Sequence, residues 1–141
     1  MARTYPKHEA KKSALQIPYD LQGRREFLTK ELKKYAGKTF YCKAIGVNVI
    51  VTGNSVEETA FNASTSRKAA KIALHLPYII RNAKIVSLHL PTESRKQTTS
   101  FHFVDIGLFR CNIQKVGIAK IVIGYRNNGK AIEYAITDYQ V

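Results

Sequence analysis

The chain has 141 residues, 45% of them hydrophobic, which suits one domain with a core of its own and argues against disorder throughout. It carries 23 Lys and Arg against 10 Asp and Glu, a formal net charge of +13, an excess that costs self-repulsion and points to an anionic partner, nucleic acid first. Two cysteines, Cys42 and Cys111, lie far apart with no histidine at metal-ligand spacing, and no apolar run is long enough to cross a bilayer, so neither a structural zinc site nor a membrane span is expected.

In chain order, residues 1–18, with Lys7, Lys11, Lys12, Pro6 and Pro18, read as a basic tail or loosely docked arm without the apolar segment of a signal peptide; a cytoplasmic protein is expected, with a secreted or injected effector as the alternative. Residues 19–141 read as one α+β domain. Asp20 is a candidate N-cap for a helix in which Leu21, Phe27, Leu28, Leu32 and Tyr35 share a stripe and Gly37 closes the end in the left-handed conformation. Arg24, Arg25, Lys30, Lys33 and Lys34 fall mostly outside that stripe, as a solvated face would. Lys38 to Thr52 is rich in β-branched and aromatic residues, with Gly46 either a bulge in one strand or the turn of a tight hairpin. Ser55-Val56-Glu57-Glu58 matches a capping box and predicts a short helix starting there.

Ser64, Thr65 or Ser66 then caps a helix through Arg67–His75, which Pro77 either kinks or restarts. Arg67, Lys68 and Lys71 crowd its positive end, where carboxylates are expected; this marks a candidate phosphate contact, with compensation by Glu57 and Glu58 as the plain alternative. Lys84–Leu90 reads as a strand and Pro91–Thr98 as a polar loop. Ser100–Ile106 alternates, with His102 opposite Phe101 and Phe103, and a bulge at Gly107 leads into Leu108–Ile113. Helices early and antiparallel strands late predict N-terminal helices packed on one face of a four- or five-stranded antiparallel sheet.

The last two strands carry the sharpest local signal. Asn128-Gly129 supplies the positive-φ pair of a two-residue turn, and pairing Asn127 with Lys130 places Ile121, Ile123, Tyr125, Ile132, Tyr134 and Ile136 on a core face. Lys120, Val122, Gly124, Arg126, Ala131, Glu133, Ala135 and Thr137 then share the other face, which reads as an open surface. Cleaving RNA without a metal needs a base for the 2′-hydroxyl, an acid for the leaving oxygen and cations for the phosphate. His102, Glu133, Arg126, Lys120 and Thr137 contain each type, although Glu133 beside a basic neighbour also fits a simple cross-strand pair. His75 and His89 read as core-edge or surface residues. No phosphate-binding loop, dinucleotide glycine pattern, serine nucleophile elbow or paired-histidine zinc motif occurs, and no cofactor is expected.

The run Val49-Ile50-Val51-Thr52-Gly53-Asn54-Ser55-Val56-Glu57-Glu58-Thr59, then Asn62-Ala63-Ser64, the helix ending Leu76-Pro77-Tyr78-Ile79-Ile80-Arg81-Asn82-Ala83, His102 in a strand and the closing Tyr134-Ala135-Ile136-Thr137-Asp138 resemble the polyvalent-protein domains of phages and mobile elements assigned to the barnase, EndoU, colicin and RelE-like nuclease superfamily. The resemblance covers about residues 38–141. It implies metal-independent ribonuclease activity, as a toxin or phage effector, with catalytic groups on an open sheet face, and an acidic immunity or antitoxin partner. Relatives are expected to offer a histidine where this chain has Asn62, so this copy is weakened, rewired through His102, or binding-only. The expectation is an endoribonuclease with His102 and Glu133 as acid and base, Arg126 and Lys120 on the phosphate, and Arg67, Lys68 and Lys71 on flanking phosphates. A non-catalytic RNA- or DNA-binding protein, RNA before DNA, and a basic assembly protein are the alternatives.

Overall fold

The computed structural model describes residues 15–89, 105–125 and 130–140. Asp20 stands in extended backbone and its carboxylate accepts from Gly23 N at 2.7 Å, opening helix α1 over Leu21–Lys33. Leu28 and Leu32, one turn apart, are fully buried, but Leu21 is 50% exposed. The buried stripe starts one turn late because Arg24, next on that face, reaches inward: its Nε donates to Ser64 O at 2.7 Å and its Nη1 to Tyr19 O. Arg25 lies over the Phe61 ring at 4.5 Å, so these two arginines join helices instead of forming a solvated face. Gly37 takes φ +83° and donates to Val51 O at 2.7 Å, reversing the chain as expected.

Strands β1 (Thr39–Cys42) and β2 (Val47–Ile50) form a hairpin, with Gly46 at φ +68° donating to Cys42 O at 2.9 Å; of the two readings of Gly46, the turn holds. Helix α2 (Gly53–Ala63) starts earlier than predicted. Its cap is Thr52, whose Oγ1 accepts from Ser55 N at 3.1 Å while Ser55 Oγ accepts from Thr52 N at 2.9 Å, so the capping box is Thr52 with Ser55 and not Ser55 with Glu58. Ser55 is fully buried, and a serine reaches the cap where a longer acid would not fit the core. Ser66 caps α3 (Arg67–Ala73), accepting from Ala69 N at 3.0 Å. Pro77 sits in the first turn of α4 (Leu76–Asn82), so the chain restarts a helix there, as proline's fixed φ and missing donor favour.

Strands β3 (Lys84–His89), β4 (Asp105–Ile113), β5 (Gly117–Tyr125) and β6 (Ala131–Gln140) complete a six-stranded sheet of order β1-β2-β6-β5-β4-β3. The class is α+β. The sheet is wider than the four or five strands expected, because the β1–β2 hairpin between α1 and α2 adds to its far side, where β2 runs parallel to β6. Every other pairing is antiparallel. No bulge occurs at Gly107: β4 keeps one register along β5, and the irregularity lies on β3 at Val86.

Helices α2, α3 and α4 pack on one sheet face. Ala60, Ala63, Ala70 and Ala73 let helix backbones approach closely, and Phe109, Cys111, Ile113, Ile121 and Ile123 fill the sheet side of this core, each large side chain worth about 2 kcal/mol in surface removed from water. Ile17 is buried in the same cluster, so the docked chain begins before residue 19.

Candidate nucleic-acid interface

The register of β5 with β6 matches the sequence reading only at its centre, where Val122 pairs with Ala135 and Ile121 with Ile136. Two bulges on β6 shift it by one residue on either side. Glu133 pairs with Ile123, leaving Tyr134 as an extra residue, and Asp138 pairs with Lys120, leaving Thr137 as another. Tyr125 pairs with Ala131 at the hairpin mouth, one residue off the predicted register, and the Asn128-Gly129 turn itself lies outside the described residues. A one-residue slip exchanges faces, so Ala131 joins the helix-side core and Ile132, opposite Gly124, leaves it. Glu133 accordingly holds a register position opposite core Ile123 instead of Gly124. The face expected to be open is also closed at this end, since Val122 is only 7% exposed and Gly124 and Ile132 are buried.

The same face is polar at its other end. On β4, Phe109, Cys111 and Ile113 point to the helices, and Arg110 and Asn112 alternate to the opposite side, where both are exposed. Arg110 pairs with Lys84 on one side and Lys120 on the other, and Lys120 pairs with Asp138. Three cations therefore stand in one line across β3, β4 and β5. Like charges directly opposite in neighbouring strands are destabilising, so this line carries a small cost to the fold. Neither Lys84 nor Arg110 forms an ion pair with a described residue.

Beyond Lys84 lies a groove of about 730 Å³ lined by Tyr78, Asn82, Lys84, Ile85, Val86, Arg110 and Asn112. Ala83 alone links α4 to β3, which fixes Tyr78 and Asn82 against the sheet edge. Asn82 is held on both sides of its amide: Nδ2 donates to Tyr78 O at 3.0 Å and Oδ1 accepts from Lys43 Nζ at 3.2 Å. Lys43 thus adds a further cation at the rim. Ile85 and the bulged Val86 are 46% and 53% exposed on the outermost strand. Among the described residues no carboxylate lines the groove.

Among the other predicted site residues, His102 and Arg126 lie outside the described residues. Thr137 is the bulge residue next to the Lys120–Asp138 pair. The Arg67 guanidinium is engaged inside the fold, donating to Ile17 O from Nε at 3.3 Å and Nη2 at 3.1 Å and lying over the Tyr19 ring at 4.2 Å. Lys68 and Lys71 are exposed. Asn62, on α2, belongs to the helix side of the sheet, away from the line of cations, and its carbonyl accepts from Thr65 Oγ1 at 3.2 Å. His75, between α3 and α4, is 3% exposed, and burial pushes its imidazole down to about 4. Burial likewise pushes the Cys111 thiol up to about 11, which leaves it a core residue and no nucleophile. Sequence reasoning missed Lys84, Arg110, Asn112 and Asp138, all polar residues in strands, because only strand order brings them together.

Among the described residues no group of three or more His, Cys, Asp or Glu is placed to hold a metal ion, and no helix is long and apolar enough to cross a membrane. No curated protein and no solved structure matches the chain. Residues 20–132 match the family described as large polyvalent protein-associated domain 3, a span that runs from the α1 cap into β6 and takes in the cation line and the groove. The chain belongs to that family of polyvalent-protein-associated domains.

Proposed function

We propose that the domain binds RNA on its sheet face, with Lys84, Arg110 and Lys120 contacting successive phosphates. The observation that carries this reading is the cross-strand run of three cations, in which Lys84 and Arg110 stand opposite each other with no ion pair to a described residue, a like-charge contact that an anionic strand relieves. Adjacent strands space these residues by about 5 Å, close to the reach of consecutive phosphates for long flexible side chains. Three such contacts to a single strand give a slope of about −2 in log K against log salt, and each cation removed lowers it by about 0.7. Anisotropy of a labelled RNA over a salt series tests this with Lys84→Ala and Arg110→Ala. No binding at low salt, or an unchanged slope in both variants, overturns it.

Metal-independent RNA cleavage is the second reading, favoured by the β6 bulge that sets an acid, Asp138, opposite Lys120 with Thr137 beside it. His102, Arg126, Lys120 and Thr137 are its catalytic set, with Asp138 taking the acid's place from Glu133, whose register position is opposite core Ile123, and a phage or mobile-element toxin countered by an acidic immunity protein is its setting. Cleavage of labelled RNA in EDTA, lost in His102→Ala and Lys120→Ala and absent on a 2′-deoxy strand, is the expected result. Intact RNA under all conditions leaves binding alone.

A further inference from the structure

We infer that the groove beside Lys84 receives one unpaired nucleobase, so that the domain selects single-stranded over duplex RNA; this rests on the RNA reading above. A volume of about 730 Å³ falls within the range of small-molecule pockets, roughly 300–1,000 Å³. Its lining divides as a nucleotide does. Lys84 and Arg110 supply cations at the end that continues the phosphate line, and Tyr78 with Ile85 and Val86 supplies a flat, apolar wall. Asn112 supplies a carboxamide at the exposed end, able to donate and accept together on a base edge.

Asn82 is the support for this arrangement and not its reader, because both ends of its amide are already engaged by Tyr78 O and Lys43 Nζ. Tyr78 is half-buried against the core, so the wall is anchored. The bulge at Val86 leaves an apolar side chain exposed on the outermost strand, a costly placement in water that a stacked base would cover. In an A-form duplex the bases are stacked inside and their edges cannot enter a concave groove at a sheet edge, whereas a single strand can turn one base out.

The test compares a short labelled oligoadenylate with a blunt RNA duplex at one salt concentration, using the full chain. The single strand is expected to bind about tenfold more tightly, the effect of one stacked base. Asn112→Ala and Tyr78→Leu, the latter checked for native circular dichroism, are expected to remove that preference while leaving duplex affinity and salt slope unchanged. Equal affinity for the two RNAs, or variants that weaken both alike, overturns the base pocket and leaves the phosphate line standing. Failure to bind either RNA overturns the proposed function and the pocket with it.

Discussion

His75→Asn should flatten the acid side of the stability profile. His75 is 3% exposed at the junction of α3 and α4, where its backbone N donates to Ile72 O and its carbonyl accepts from Ile79 N, each at 3.0 Å. Burial lowers its pKa from 6.5 to about 4. In the unfolded chain the imidazole takes a proton below about 6.5, and in the folded chain it does not until about 4. The unfolded state therefore binds more protons across this window, and stability is full above pH 6.5 and falls as the pH drops toward 4. The whole shift corresponds to about 3 kcal/mol, and at pH 4.5 about 2.5 kcal/mol of it is already lost. Asparagine does not titrate and keeps a polar side chain of similar size. Guanidinium unfolding of both proteins at pH 7.5 and pH 4.5 isolates the histidine from the carboxylates, since these are common to both. The wild-type chain should lose about 2.5 kcal/mol more between the two pH values than the variant. Equal losses would refute a buried neutral imidazole, whatever the effect of the substitution at neutral pH.

Two further substitutions separate structural from binding roles. Arg67→Ala removes two hydrogen bonds to Ile17 O and the stacking on Tyr19, and should cost about 2 kcal/mol in chemical unfolding with no change in the RNA salt slope; a lowered slope with unchanged stability would restore it as a phosphate contact. Thr52→Ala removes the cap of α2 and leaves the Thr52–Ser55 exchange half made, so the unfolding free energy should fall by about 1 kcal/mol.

Local signals in the sequence located most elements and little of the surface. Asp20, Ser66, Gly37, Gly46 and Pro77 each act through a backbone requirement that residue type alone satisfies, and each does in the structure what its chemistry allows. Thr52 is hidden because it closes the β-branched run and the Ser55–Glu58 pattern offers a second capping box three residues on; only the burial of Ser55 reveals that the helix has already begun. On β5 the alternation holds, with Ile121, Ile123 and Tyr125 on the core side, but on β6 the register departs from it for a different reason. Alternation assumes an unbroken ladder, and the bulges at Tyr134 and Thr137 fall on residues with no glycine or proline to mark them. The line from Lys84 through Arg110 to Lys120 was illegible for a third reason: it is a product of strand order, which no local pattern encodes.

That line also separates fold from function most sharply, because the two place opposite demands on Arg110. Folding alone would favour an acid there, between Lys84 and Lys120, since each like-charged cross-strand contact would become an opposite-charged one. Arg110→Glu should therefore raise the unfolding free energy at low salt, by about 1 kcal/mol for the two contacts together, with the gain fading as salt screens them. The same change removes one cation from the phosphate path and sets an anion in its place, so RNA affinity should fall by more than tenfold and the salt slope by at least about 0.7. Opposite movement of stability and RNA affinity in one variant is the signature of a surface shaped by its ligand. If Arg110→Glu destabilises the fold and leaves RNA affinity unchanged, the cations are scaffold, and the phosphate must be sought elsewhere on the chain.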